Sequence, residues 1–95
     1  MAVYVDSERH PYGRMLMSHM MADTEAELHA MADLIGVSRN WIQRSRSGMV
    51  HYDICQKKRV LALSAGAQVI DRRGVVELMK RMTRSVVTTG TRPRK

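Results

Sequence analysis

Apolar residues recur along this chain in short blocks separated by polar punctuation, and each block has a period that can be read. "AVYVD" at residues 2–6 is rich in β-formers and stops at an acid, which predicts a strand ending at Asp6. A long polar and Met-rich segment follows, with a turn at Pro11 and Gly13 and a brief extended piece in "RMLM". Thr24 and Glu27 have the S/T-x-x-E spacing of a capping box. Leu28, Met31, Ala32 and Ile35 then recur at helical spacing up to Gly36, a residue suited to ending a helix.

Beyond that helix, "NWIQ" around Trp41 predicts a second strand and "RSRSGM" a polar loop. A second helix is expected from Asp53, with Gln56 closing a similar box, Ile54, Leu61 and Ala65 turned inward and Gly66 as the stop. "AQVI" predicts a third strand. Asp71 can cap a third helix, with Val75, Leu78, Met79 and Met82 on one side and Arg72, Lys80, Arg81 and Arg84 mostly on others. The order β-α-β-α-β-α predicts an α/β domain with a short, mostly parallel three-stranded sheet, since parallel strands need crossovers. An α+β arrangement with one antiparallel pair is the alternative.

Composition narrows the setting. The 95 residues suffice for one domain with a modest core, expected over residues 1–84, followed by a basic, flexible tail over 85–95. Phe is absent and Met occurs nine times, so the core is expected to be adaptable and open to self-association. The single Cys55 excludes an internal disulfide framework and a multi-Cys zinc site. The short apolar runs exclude a membrane span and a secretory leader, so a cytoplasmic protein is expected.

The net charge of +7 is unevenly placed. Residues 1–70 hold eight Lys or Arg against seven Asp or Glu, whereas residues 71–95 hold eight against two. Lys80, Arg81, Arg84, Arg92, Arg94 and Lys95 are therefore the candidates for contact with a nucleic-acid backbone or an acidic partner.

In an open parallel sheet, ligands bind beyond the carboxyl ends of the strands. That scheme gathers Asp6, Arg14, His19, Asp23, His51, Tyr52, Asp53, Asp71 and Arg72 at one edge, together with three helix N-termini. Two chemistries use such a set. A divalent metal ion held by Asp6, Asp23 and Asp53 can activate water for phosphodiester or nucleotide hydrolysis, with His19 or His51 as general base. Without a metal, the helix N-termini with Arg14, Arg72 and Arg73 can hold a phosphate. Several of these residues also have a purely structural explanation. Asp53 and Asp71 read as N-caps, Glu27 as a capping-box partner, His29 as a boundary or core histidine and His10 as a loop residue. His19, His51 and Asp6 have no local structural explanation.

The blocks "MAVYVD", "PYGRMLMSHMMADTEAELHAMADLIGV", "HYDICQKKR" and "AGA" closely resemble the domain of unknown function 4031 family, from residue 1 to about 80. Its acid after the first strand, S-H-x-x-[SA]-D segment, E-L-H helix and H-Y-D triplet fall on Asp6, Ser18, His19, Asp23, Glu27, Leu28, His29, His51, Tyr52 and Asp53. The family brings no assigned activity. The resemblance implies a phage or prophage source, hence a host-cell cytoplasm. It favours His19, Asp23, His51 and Asp53 as one site, with Glu27 and His29 within reach. Three functions are compatible with these features: a small metal-assisted hydrolase acting on nucleic acid or a phosphorylated small molecule, a non-enzymatic nucleic-acid-binding or host-modulating protein, and a nucleotide-sequestering protein.

Overall fold

A computed structural model of the chain describes residues 2–46 and 48–88, the side chains of 82–88 excepted. Its strands are β1 (Val3–Asp6), β2 (His10–Tyr12), β3 (Met15–Ala22), β4 (Gln43–Arg44), β5 (Val50–Cys55) and β6 (Gln68–Ile70). Its helices are α1 (Glu25–Ile35), α2 (Gln56–Ser64) and α3 (Arg72–Thr88), and a single 3₁₀ turn spans Arg39–Trp41.

The sheet order is β4-β5-β3-β1-β6, and β2 also pairs with β3. Every pairing is antiparallel except β1 with β6. The expected mostly parallel three-stranded sheet is therefore corrected to a mostly antiparallel six-stranded one, and the domain is α+β. The reason lies in the segment after β1. It is a hairpin rather than a loop into α1: Tyr12 pairs with Met15 across the two-residue turn Gly13-Arg14. Gly13 has φ +61°, and among the described residues none other than glycine has positive φ, which gives the type II′ pattern that suits tight hairpins. β3 then runs back through the middle of the sheet, which a parallel crossover would have prevented.

Two further expectations change. Trp41 lies in the 3₁₀ turn, and the strand after it is only Gln43–Arg44. Asp53 lies inside β5 and is no N-cap; α2 starts three residues later, after Cys55, without a side-chain cap. Alternation explains this: Val50, Tyr52 and Ile54 are buried while His51, Asp53 and Cys55 are half-buried, the period of two that a strand produces. The other punctuation is as expected. Thr24 accepts from the Glu27 amide at 3.2 Å, although its hydroxyl, rather than its amide, meets the Glu27 carboxylate. Gly36 closes α1 at φ +80°, and the Asp71 carboxylate accepts from the Gly74 amide at 2.8 Å at the start of α3.

One face of the sheet is closed by α1 and α2. Val5, Met20, Tyr52 and Ile54 pack there against Leu28, Met31, Ala32, Ile35 and Ala62. The other face is covered by α3 only over part of its width, where Met21 and Ile70 meet Leu78, with Tyr4, Val75 and Met79 beside them. The remainder of that face, over β2, β3 and β5, carries the histidines. No helix among the described residues is long and apolar enough to cross a membrane.

Candidate metal centre on the open sheet face

The register builds the site. His19 on β3 lies directly opposite Asp53 on β5. Two positions back on β3, Met17 pairs with both His10 and Cys55, and β5 itself brings in His51, which is paired with Gln43 on β4. Because alternate residues share a face, His10, His19, His51, Asp53 and Gln43 project from four strands toward one point.

Three imidazoles surround one carboxylate there. Asp53 Oδ1 lies 3.7 Å from His19 Nε2 and 3.8 Å from His51 Nε2, and Asp53 Oδ2 lies 3.8 Å from His10 Nε2. The rings of His10 and His19 are 4.8 Å apart and those of His19 and His51 5.5 Å. Gln43 donates to Asp53 Oδ2 at 3.0 Å, while Asp53 Oδ1, a buried oxygen, has no hydrogen-bond partner among the described residues. A buried carboxylate oxygen without a donor is costly and calls for a cation or a proton.

Behind two of the rings stand acceptors that fix their orientation. Asp6 Oδ2 is 2.6 Å from His19 Nδ1, and the carbonyl of Met49 is 3.4 Å from His51 Nδ1. Each ring thus turns Nδ1 to an acceptor and Nε2 to Asp53, the arrangement that orients histidine ligands of metal ions. No such partner stands behind His10 among the described residues.

Asp6 holds its position for a reason visible in the ladder. β1 and β2 lie end to end along the same side of β3, and the chain leaves the sheet between them at Ser7–Arg9. The Asp6 carboxylate fills the gap, accepting from the His19 amide at 2.9 Å as well as from its ring. Ser18 donates to the Glu8 carbonyl at 2.6 Å, Gln56 donates to Ser18 at 3.0 Å, and Arg59 donates to the Asp6 carbonyl at 3.0 Å. Burial pushes the Asp6 carboxyl up, but the His19 ring, its amide and its charge outweigh this and hold it below the ordinary value. The hydrogen bond to Asp6, with the charges of Asp6, Asp53 and Glu8, raises the His19 imidazole against the opposing effect of burial.

Donor atoms of His10, His19 and Asp53 lie within 4.8 Å of one another. A transition-metal ion with nitrogen and oxygen ligands at about 2.0–2.1 Å needs donors roughly 3.3 Å apart, so rotamer adjustments of well under an ångström per side chain would close the set. Nitrogen donors with one carboxylate suit zinc and its neighbours rather than calcium or magnesium.

The other sequence-derived candidates are distributed differently. Asp23 stands apart, accepting from the Ala2 amide at 2.8 Å and the Tyr4 hydroxyl at 3.1 Å, with Arg81 at 3.5 Å. Tyr52 is fully buried, its hydroxyl 2.7 Å from His29 Nδ1, so those two family-motif residues bind one another on the opposite face. Arg72 reaches Glu8 at 3.5 Å and lines a hollow with Asp6 and His19. Arg14 is exposed in the hairpin turn, and Arg73 and Lys80 are exposed on α3. The side chains of Met82 and Arg84, and Arg92, Arg94 and Lys95 altogether, lie outside the described residues.

Sequence reasoning missed His10 and Gln43. The signal for His10 was present in "HPYGRMLMSH", a glycine-containing two-residue turn between extended segments that sets His10 beside Met17 and near His19. Gln43 had no local signal.

The strands and the side chains gathered on them define a small α+β domain with a His/Asp cluster on an open sheet face. The chain belongs to the family described as "Protein of unknown function (DUF4031)", whose model matches residues 3–82. No curated protein and no solved structure matches it.

Proposed function

We propose that this chain is a divalent-metal-dependent hydrolase of phosphate esters, with its ion held at the His/Asp cluster. The observation that carries this reading is Asp53 Oδ1, a buried oxygen without a hydrogen-bond donor that two imidazole nitrogens face at 3.7 and 3.8 Å. His19, His51 and Asp53 would hold the ion: the donors of His10, His19 and Asp53 already lie within 4.8 Å of one another, but only the His19 and His51 rings have Nδ1 committed to an acceptor. Three protein ligands leave a further position for water or a phosphoryl oxygen, and a bound ion supplies a hydroxide near neutral pH.

His10 faces the same carboxylate, and no acceptor among the described residues fixes its other nitrogen. It is the group placed to carry a proton to or from the reacting oxygen. Arg72 lines the hollow beside His19, where it pairs with Glu8 and where Asp6 and Asp71 also stand, so it meets a phosphate only by releasing Glu8.

Calorimetric titration with Zn²⁺ and Mn²⁺, followed by hydrolysis of bis(p-nitrophenyl) phosphate, tests the reading. Saturable binding that is lost in Asp53→Ala and in a His19→Ala, His51→Ala double variant is expected. Hydrolysis should fall by about 10²–10⁴ in His10→Ala with metal binding retained. Absence of metal binding by the wild-type protein removes the proposal.

A further inference from the structure

The cluster has a second neighbour besides the Arg72 hollow. On its other side a cleft of about 400 Å³ opens, within the usual size range of small-ligand sites. The β2–β3 hairpin contributes Tyr12, Met15 and Met17 to it, and the segment after α1 contributes Val37 and Trp41. Asp53, Gln43 and Cys55 also line it, so the cleft and the His/Asp cluster share a carboxylate.

Its apolar lining is costly in the free protein. Tyr12 is 71% exposed, Trp41 66% and Met15 48%, although none of them is needed for either core. Large aromatic rings held open beside a polar cluster provide a stacking surface for a flat aromatic base. The hollow with Arg72 lies on the His19 side of the cluster and the aromatic cleft on the Asp53 side. A ligand that lies in the cleft and reaches the proposed ion beside Asp53 needs an aromatic end and an anionic end.

We infer that the aromatic cleft is a nucleobase site, and that the phosphate ester handled by this chain is a nucleoside phosphate whose base stacks on Trp41 and Tyr12. The inference rests on the proposed hydrolase reading for the anionic end alone; the base end stands on the cleft. A free nucleotide and the terminal nucleotide of a single strand present the same chemistry to it.

Trp41 is the chain's only tryptophan, so its fluorescence reports the cleft directly. The full chain is titrated with each of the four common nucleoside 5′-monophosphates, with a thymidine trinucleotide and with ribose 5-phosphate, in Zn²⁺ and again in EDTA. Saturable quenching by a monophosphate or by the trinucleotide, but not by ribose 5-phosphate, is expected; which of the two quenches more strongly identifies the source. Tyr12→Ala should weaken the quenching about tenfold. Trp41→Ala, followed by calorimetry, should weaken binding equally. Both side chains are exposed, so neither variant threatens the fold.

Quenching by ribose 5-phosphate alone, no quenching by any probe, or unchanged binding in both variants overturns the nucleobase site. Metal binding without quenching sinks this inference and spares the hydrolase reading. Quenching in EDTA by a chain that binds no metal does the reverse.

Discussion

His19 and Asp53 face each other across the β3–β5 ladder with Nε2 and Oδ1 3.7 Å apart, and neither atom has a hydrogen bond to any described residue. Such a pair is incomplete in a folded core and becomes complete around a cation. Excess Zn²⁺ is therefore expected to stabilise the protein by linkage, about 2.7 kcal/mol at a hundredfold excess over Kd. For a domain of this size that is a rise in Tm on the order of 10 °C. Thermal scans with and without EDTA check it, and Asp53→Ala should abolish the difference.

Asp6 and His19 give the metal-free protein a defined pH profile. His19 is raised, so the stability it confers is full below its unfolded value of about 6.5 and lost as pH rises through its higher folded value. Asp6 is lowered, so its contribution is full above about 3.9 and lost as pH falls through its lower folded value. The stability advantage of wild type over Asp6→Asn in EDTA should thus be largest between those limits and shrink on both sides. Denaturant titrations across pH 3–9 would show a flat difference if the pair did not exist. The same variant should weaken metal binding by about 10–100-fold, since it frees the His19 ring to turn.

The Tyr52–His29 hydrogen bond of 2.7 Å separates packing from chemistry among the motif residues. Tyr52→Phe should cost roughly 1–3 kcal/mol by leaving His29 Nδ1 without its partner, and leave Zn²⁺ affinity unchanged. A large loss of metal affinity in that variant would put His29 in the site, against the geometry.

Gly74 in the first turns of α3 has no room for a side chain. A Cβ there would lie 2.5 Å from Ile70 Cγ1, in the small core that joins α3 to the sheet. Alanine improves helix propensity by about 1 kcal/mol, yet Gly74→Ala should destabilise by about 1–3 kcal/mol because Ile70 must move. Chemical denaturation decides the sign.

Much of the helical frame was legible from local patterns: Thr24 and Gly36 bracket α1, and Asp71 opens α3, because capping is chemistry between residues close in sequence. Strand pairing was not legible, because it depends on residues far apart. "RMLMSHMMA" has no polar alternation to mark it as a strand: Met20 is buried under α1 and α2 and Met21 under α3, while Met15 is exposed at the hairpin. His19 and His51 stood out as polar residues without a local role and meet in the cluster, where Asp53, which read as an N-cap, joins them. The family motif grouped Asp23 with them, yet its partners are the Ala2 amide and Tyr4 at the other end of β1. Spacing alone does not distinguish a carboxylate that ties down a strand from one that faces imidazoles.

The gap between β1 and β2, closed by Asp6, bears on how the protein comes into being. His10, His19, His51, Asp53 and the two acceptors behind the rings all lie between residues 6 and 53, and β1, β2 and β5, the strands that pair with β3, lie between residues 3 and 55. β6 and α3 then add to the outer edge of β1. During synthesis, every residue of the His/Asp cluster is joined to the chain before the final helix. Under the proposed metal reading, the donors are therefore complete in the nascent chain before α3 exists to pack against the sheet.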